Sequence, residues 1–201
     1  MEKIAADWTS LPEGVIAESL WVTLHDGYLN NIHSDLAAGA VTLSFQVGYV
    51  ASFHNLPQDT RFLLKFESVI SVRASAFYPW PSAPMIPQIA TGRERLQLTA
   101  GYDPKWREQS VDWDALEKRL QNDEVRIDTS HAEIAQSEDQ VGFRLEGTLL
   151  DDEDAYHYVF IHAACVSFSD TNGGMYDLDQ FRELGGRYWE AFGKRAPDAA
   201  E

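Results

Sequence analysis

The sequence predicts a mainly β (α+β) chain: an antiparallel sheet or β-sandwich of seven to eight strands, with a C-terminal amphipathic helix packed on it. Three observations carry this expectation. Apolar and polar residues alternate with period two over several segments. Helical spacing is confined to two short stretches, and turn-forming residues separate the strands at short intervals.

In chain order, weak strands fall at Leu20–Leu24 and Tyr28–His33, with Asp26-Gly27, a favoured turn dipeptide, between them. From Val41 to Val47 the alternation is unbroken. The next segment puts Phe62, Leu64, Phe66, Ile70 and Val72 on one face and Lys65, Glu67, Ser71 and Arg73 on the other. Four prolines between Phe77 and Pro87 make that stretch a loop. It is too apolar for a solvated linker, so Phe77, Trp80 and Ile86 are expected to dock on the domain. A weak strand at Arg95–Leu98 precedes a short helix near Trp113–Leu120, for which Asp112 is the expected N-cap.

Val125–Ile134 is a weaker strand, and Val141–Leu149 a clear one with a wet face. Tyr156–Phe168 is apolar on both faces, which predicts a central strand covered on both sides and makes Cys165 an inert packed thiol. Asp177 and Gln180 form a capping box ahead of a helix whose stripe is Leu178, Phe181, Leu184, Tyr188 and Phe192, with Trp189 beside it. That stripe is assigned to the core. Residues 1–194 are expected to form one domain and 195–201 a frayed tail.

Charge narrows the classes of function. The 201 residues carry 16 Lys and Arg against 32 Asp and Glu, a net charge of −16. Residues 103–154 alone hold 16 acidic and 6 basic side chains. This balance argues against nucleic acid and against anionic lipid as partners. No run approaches the ~20 apolar residues of a membrane span. The start of the sequence lacks the secretory pattern, and a single cysteine allows no internal disulfide, so a reduced cytoplasmic setting is expected.

The established motifs of phosphate-binding loops, zinc proteases and serine hydrolases are missing from the sequence. His25-Asp26 is the most suggestive local pair. It reads first as a turn, because Asp26-Gly27 favours one. It reads second as a base with its orienting carboxylate. His54 and Trp80 complete that candidate pocket, Trp80 as a lid. His33, Asp35 and Asp59 would approach His25 if the first strands formed a meander, but their spacing matches no metal-ligand pattern, so neither metal nor cofactor is expected. His157 and His162 are assigned to packing. Asp151, Asp152, Glu153 and Asp154 read as a solvated turn, or as an acidic face able to capture a basic protein by complementarity.

Two function classes follow. The first is a non-catalytic binding or accessory protein with a basic protein partner. The second is a small-ligand carrier or hydrolase-type enzyme with its pocket near His25. Three stretches add a resemblance: Trp21-Val22-Thr23-Leu24-His25-Asp26-Gly27-Tyr28-Leu29, Ser110-Val111-Asp112-Trp113 and Leu184-Gly185-Gly186-Arg187-Tyr188-Trp189. Together they resemble an uncharacterised bacterial β-rich protein family that opens on Leu-His-Asp. The opening is also similar to that of some small acidic immunity proteins of bacterial toxin systems. The resemblance transfers no catalytic residue. It implies a bacterial cytoplasmic protein, with toxin neutralisation as one form of the binding class.

Overall fold

The computed structural model describes residues 17–77, 108–121, 125–150 and 152–195. Their chain order is β1 (Ala17–Ser19), α1 (Trp21–Leu24), β2 (Tyr28–Asp35), β3 (Ala40–Gln46), α2 (Gly48–Phe53), β4 (Phe62–Phe77) and β5 (Glu108–Val111). Then come α3 (Trp113–Leu120), β6 (Ile127–Gln136), β7 (Val141–Leu149), β8 (Asp152–Asp170), β9 (Met175–Tyr176) and α4 (Leu178–Arg195). The protein is mainly β, as its alternation predicts, and the nine strands pair antiparallel throughout.

The pairing closes on itself. β2, β3 and β4 form one meander, and β6, β7 and β8 form another. A long seam of fourteen residue pairs joins β4 to β8. A short seam of two pairs, Tyr28 with Asp128 and Leu29 with Ile127, joins β2 to β6. The result is a six-stranded antiparallel barrel, with β1, β5 and β9 as short additions. Closure removes the long open edges that invite unwanted pairing.

Alternation fills the interior. Val41, Leu43 and Phe45 of β3 oppose Phe66, Leu64 and Phe62 of β4, and all six are fully buried. Phe66 and Phe143 meet across the interior with ring centroids 5.4 Å apart. Three one-residue bulges, in β2, β6 and β4, and a wider shift between β7 and β8 adjust the strands. The extra residues Asn30 and Ser130 each reach back across the ladder, Asn30 accepting from Gln46 N–H at 3.1 Å and Ser130 donating to the Glu146 carbonyl at 3.2 Å.

The third bulge corrects one expectation. The β4 register shifts between Val69 and Ser71, and Ser68 sits at φ 51°. On β8 both Ala163 and Val166 pack against the core, so the alternation breaks between them. Cys165 is therefore exposed beside Glu67, not packed.

Helices cover both ends. At one end α3 is capped by Asp112, whose carboxylate accepts from Ala115 N–H at 2.8 Å, and it buries Trp113, Leu116 and Leu120. Glu117 fixes it to β2 through Ser34. At the other end α1 enters β2, α2 leaves β3, and α4 follows β9. The expected capping box is reciprocal: Gln180 N–H donates to Asp177 at 2.8 Å, and Asp177 N–H to Gln180 at 2.9 Å. Phe181 then enters the core against Phe62 and Phe168.

The expected strand Leu20–Leu24 is instead the turn of helix α1. Leu20 and Leu24 are both fully buried and lie one helical turn apart, with His25 N–H donating to the Trp21 carbonyl at 2.9 Å. Apolar residues at i and i+4 satisfy a strand face and a helix face alike, and the β-branched Val22 and Thr23 favour the first. The hairpin expected around Asp26-Gly27 is thus a helix-to-strand turn, with Asp26 at φ 56°. The proline-rich segment from residue 78, the strand at 95–98 and the tail from residue 196 lie outside the described residues. No described helix is long and apolar enough to cross a membrane.

Candidate functional site

The end of the barrel formed by α1, α2 and α4 carries three of the side chains that the sequence singles out, His25, Asp26 and His54. α4 approaches α1 backbone to backbone at Gly185, where a Cβ would overlap the Val22 carbonyl and come within 2.6 Å of Thr23 Cα. The contact is stitched on both sides. Trp189 Nε1 donates to the Val22 carbonyl at 2.9 Å, and Thr23 Oγ1 donates to the Phe181 carbonyl at 2.8 Å. From α2, Tyr49 donates to the carbonyls of Thr23 at 3.1 Å and Val22 at 3.3 Å. Burial pushes the Tyr49 hydroxyl far above its ordinary range, with Asp26 and Tyr188 adding to the effect and Trp189 opposing it, so it stays a donor.

This packing leaves rings on the surface. His25 stacks on Trp21 at 4.4 Å, and Trp21 on Trp189 at 5.7 Å. Trp189 touches Phe192 at 5.9 Å, Phe192 touches Tyr188 at 6.0 Å, and Tyr188 touches Phe53 at 5.9 Å. Phe53 ends the chain against His54 at 5.1 Å. His25 and His54 therefore stand at opposite ends of one run of aromatic rings. Within the stripe assigned to the core, only Phe181 is fully buried, and Phe192 is 54% exposed. Along the helix the stripe turns from core at Phe181 to surface at Phe192.

His25 Nε2 lies 3.3 Å from Asp26 Oδ1, and its buried Nδ1 has no hydrogen-bond partner among the described residues. Asp128 joins this corner through the register that sets it opposite Tyr28. Burial raises the Asp128 carboxyl, the charge of Asp26 raises it further, and His25 opposes both. Replacing Asp128 with asparagine is therefore expected to raise the melting temperature at neutral pH. The sign follows from linkage: a raised carboxyl penalises the folded state when ionised, and protonation removes the penalty. Thermal denaturation should show the gain shrinking as the pH falls into the carboxyl range; a constant or negative difference would contradict it.

His54 belongs to a separate open groove of about 320 Å³ between β9 and α4, lined also by Met175, Tyr176, Glu183, Leu184 and Arg187. Its Nε2 bonds the Leu184 carbonyl at 2.8 Å. His25 and Asp26 do not line this groove. His33 is on β2, 3.9 Å from Glu117 and near the opposite end of the barrel. Trp80 and Asp151 lie outside the described residues, as do the side chains of Asp152, Glu153 and Asp154, whose backbone opens β8. His157 is buried, and half-buried His162 faces Gln140 at 3.3 Å. Among the described residues no group of three or more His, Cys, Asp or Glu is arranged to hold a metal.

The sequence assigned Tyr188 and Trp189 to the core and did not mark Phe53. The spacing of Tyr188 on the helix is that of a buried stripe, so the pattern alone does not separate core from surface there. Comparison with known families, with curated proteins and with solved structures finds no match for the chain.

Proposed function

We propose that the protein is a non-catalytic binding protein that engages a basic protein partner through the aromatic end of the barrel. The observation behind this reading is the distribution of exposed apolar side chains. Among the described residues six large ones are exposed, and four of them, Trp21, Phe53, Met175 and Phe192, lie on this end. Soluble proteins seldom leave such side chains clustered unless something covers them. The net charge of −16 favours a basic partner by steering and complementarity. Neutralisation of a basic toxin would be one form of this activity.

The test is affinity capture from a native lysate with the wild-type chain and with a Trp21→Ala/Phe192→Ala variant. The wild type should enrich basic proteins that the variant loses. Equal capture by both chains would overturn the reading. The groove beside His54 favours a second reading, a small-ligand carrier. Native mass spectrometry decides that reading: an added small-molecule mass that disappears in Met175→Ala supports it, and a bare mass counts against it.

A further inference from the structure

The run of rings has a chemical polarity that narrows what can cover it. Its apolar members, Phe53 and Phe192, are 36% and 54% exposed. At its far end Trp21 is 37% exposed and packs on His25, beside the exposed carboxylate of Asp26. Two arginines of this end are held by carboxylates. Arg182 is held by Glu18 and Asp179, and Arg187 by Glu183. Arg126 lies over the Tyr28 ring at 4.6 Å. Asp26, by contrast, has no lysine or arginine partner among the described residues, and Asp128 stands near it with the same charge. A partly exposed indole next to a carboxylate is a favourable seat for an ammonium or guanidinium group.

We infer that this face binds a cationic amphipathic segment of a partner protein, with its apolar side chains over Phe53 and Phe192 and a lysine or arginine at the Trp21–Asp26 corner. The inference rests on the binding-protein reading above and specifies the chemistry of the partner. Charge complementarity selects this occupant over a second copy of the chain, which would bring another net charge of −16 to the same face. Apolar anchors with a charged rim also match the usual division of labour in protein interfaces, anchors setting affinity and charges setting selectivity.

Two synthetic peptides test it. They share one apolar pattern and carry either lysines or glutamates on the polar face. Fluorescence anisotropy follows their titration with the full chain. The lysine peptide should bind, and its affinity should fall about tenfold as salt rises from about 50 to about 300 mM. Phe192→Ala and Trp21→Ala should each weaken it about tenfold. Asp26→Asn should weaken it severalfold and flatten the salt dependence. Phe192 contributes no buried core contact, so circular dichroism of that variant serves as the folding control.

Equal binding of the glutamate peptide, or lysine-peptide binding unchanged in Phe192→Ala and Trp21→Ala, would overturn the inference. No binding of the lysine peptide, with lysate partners still lost in the double variant, overturns the cationic occupant alone. No binding with no lost partners overturns the binding-protein reading as well.

Discussion

Replacing Gly185 with alanine is expected to loosen the helical end of the barrel, whereas the same change at the next residue, Gly186, is expected to stabilise the protein. The two glycines are adjacent in one helix, so their intrinsic helix preferences are the same. Their surroundings differ. A methyl group on Gly185 would overlap the Val22 carbonyl, a backbone atom that accepts hydrogen bonds from Trp189 and Tyr49. Val22 cannot withdraw without losing those bonds. α4 cannot withdraw without lifting Phe181 from the core and breaking the bond from Thr23 Oγ1 to its carbonyl.

Forced overpacking of this kind costs about 3 kcal/mol. For a chain of this length that lowers the melting temperature by about 6–12 °C. Gly186 meets nothing within 4 Å beyond its own helix. Alanine there removes backbone freedom from the unfolded chain and adds up to about 1 kcal/mol. Urea denaturation of the two variants side by side checks both signs. A Gly185→Ala midpoint at or above that of the wild type would show that α1 and α4 do not meet as described.

The second large effect is expected at Asp170, where β8 turns into β9. Its carboxylate is nearly fully buried. It accepts from the Tyr176 hydroxyl and from the backbone N–H groups of Asn172 at 2.6 Å and Gly174 at 3.1 Å. Burial pushes this carboxyl up, but the bonds from Tyr176, Gly174, Asn172 and Gly173 together prevail and hold it below its ordinary value. Asparagine keeps one acceptor oxygen for the Asn172 and Gly174 N–H groups, but it removes the charge and puts an NH2 where the Tyr176 hydroxyl now donates. Asp170→Asn should therefore cost about 2–3 kcal/mol.

The pH dependence follows with a definite sign. A lowered carboxyl contributes stability that is fully present above its unfolded value of about 3.9. That contribution is lost as the pH falls through the lowered folded value. The Tyr176 hydroxyl is pushed the other way, up to about 12, by burial and by the Asp170 charge. Its contribution is complete below about 10 and is lost as the pH rises through that raised value. Denaturation midpoints measured across pH should show a shallower acid limb in Asp170→Asn than in the wild type. Parallel acid limbs would remove Asp170 from this role.

What the sequence made legible was local. The capping box of Asp177 and Gln180 and the cap at Asp112 are contacts across three residues, and both stand as read. The alternation in β3 and β7 needs no partner strand to be recognised. Barrel closure is another matter, because it depends on β4 pairing with β8 about a hundred residues later, and no local pattern encodes that register. Helix α2 carries no signal of its own either. Its N-cap position is Val47, which makes no side-chain capping bond, and its first residue is Gly48.

The candidate site divides in the same way. His25 and Asp26 are neighbours in the chain, and their pairing follows from adjacency. That His25 stacks on Trp21 requires a helical turn where the residues read as a strand. That Trp189 stands beside Trp21 requires the Gly185 approach, which depends on tertiary contact alone.

The unequal seams of the barrel set how it comes apart. Fourteen pairs fasten one side, whereas the other is held by two β2–β6 pairs with the three β1–β6 pairs beside them, so the two meanders behave as leaves bound along a spine and latched more lightly opposite it. The latch lies at Tyr28 and Leu29, immediately after the corner that holds His25 and Asp26. Opening fluctuations begin where the fewest bonds must break. Amide protons at the β2–β6 latch should therefore exchange with solvent well before those of the β4–β8 spine. Anything that grips the corner would also hold the latch shut, and occupancy of that face should register as slower exchange along this one edge of the barrel.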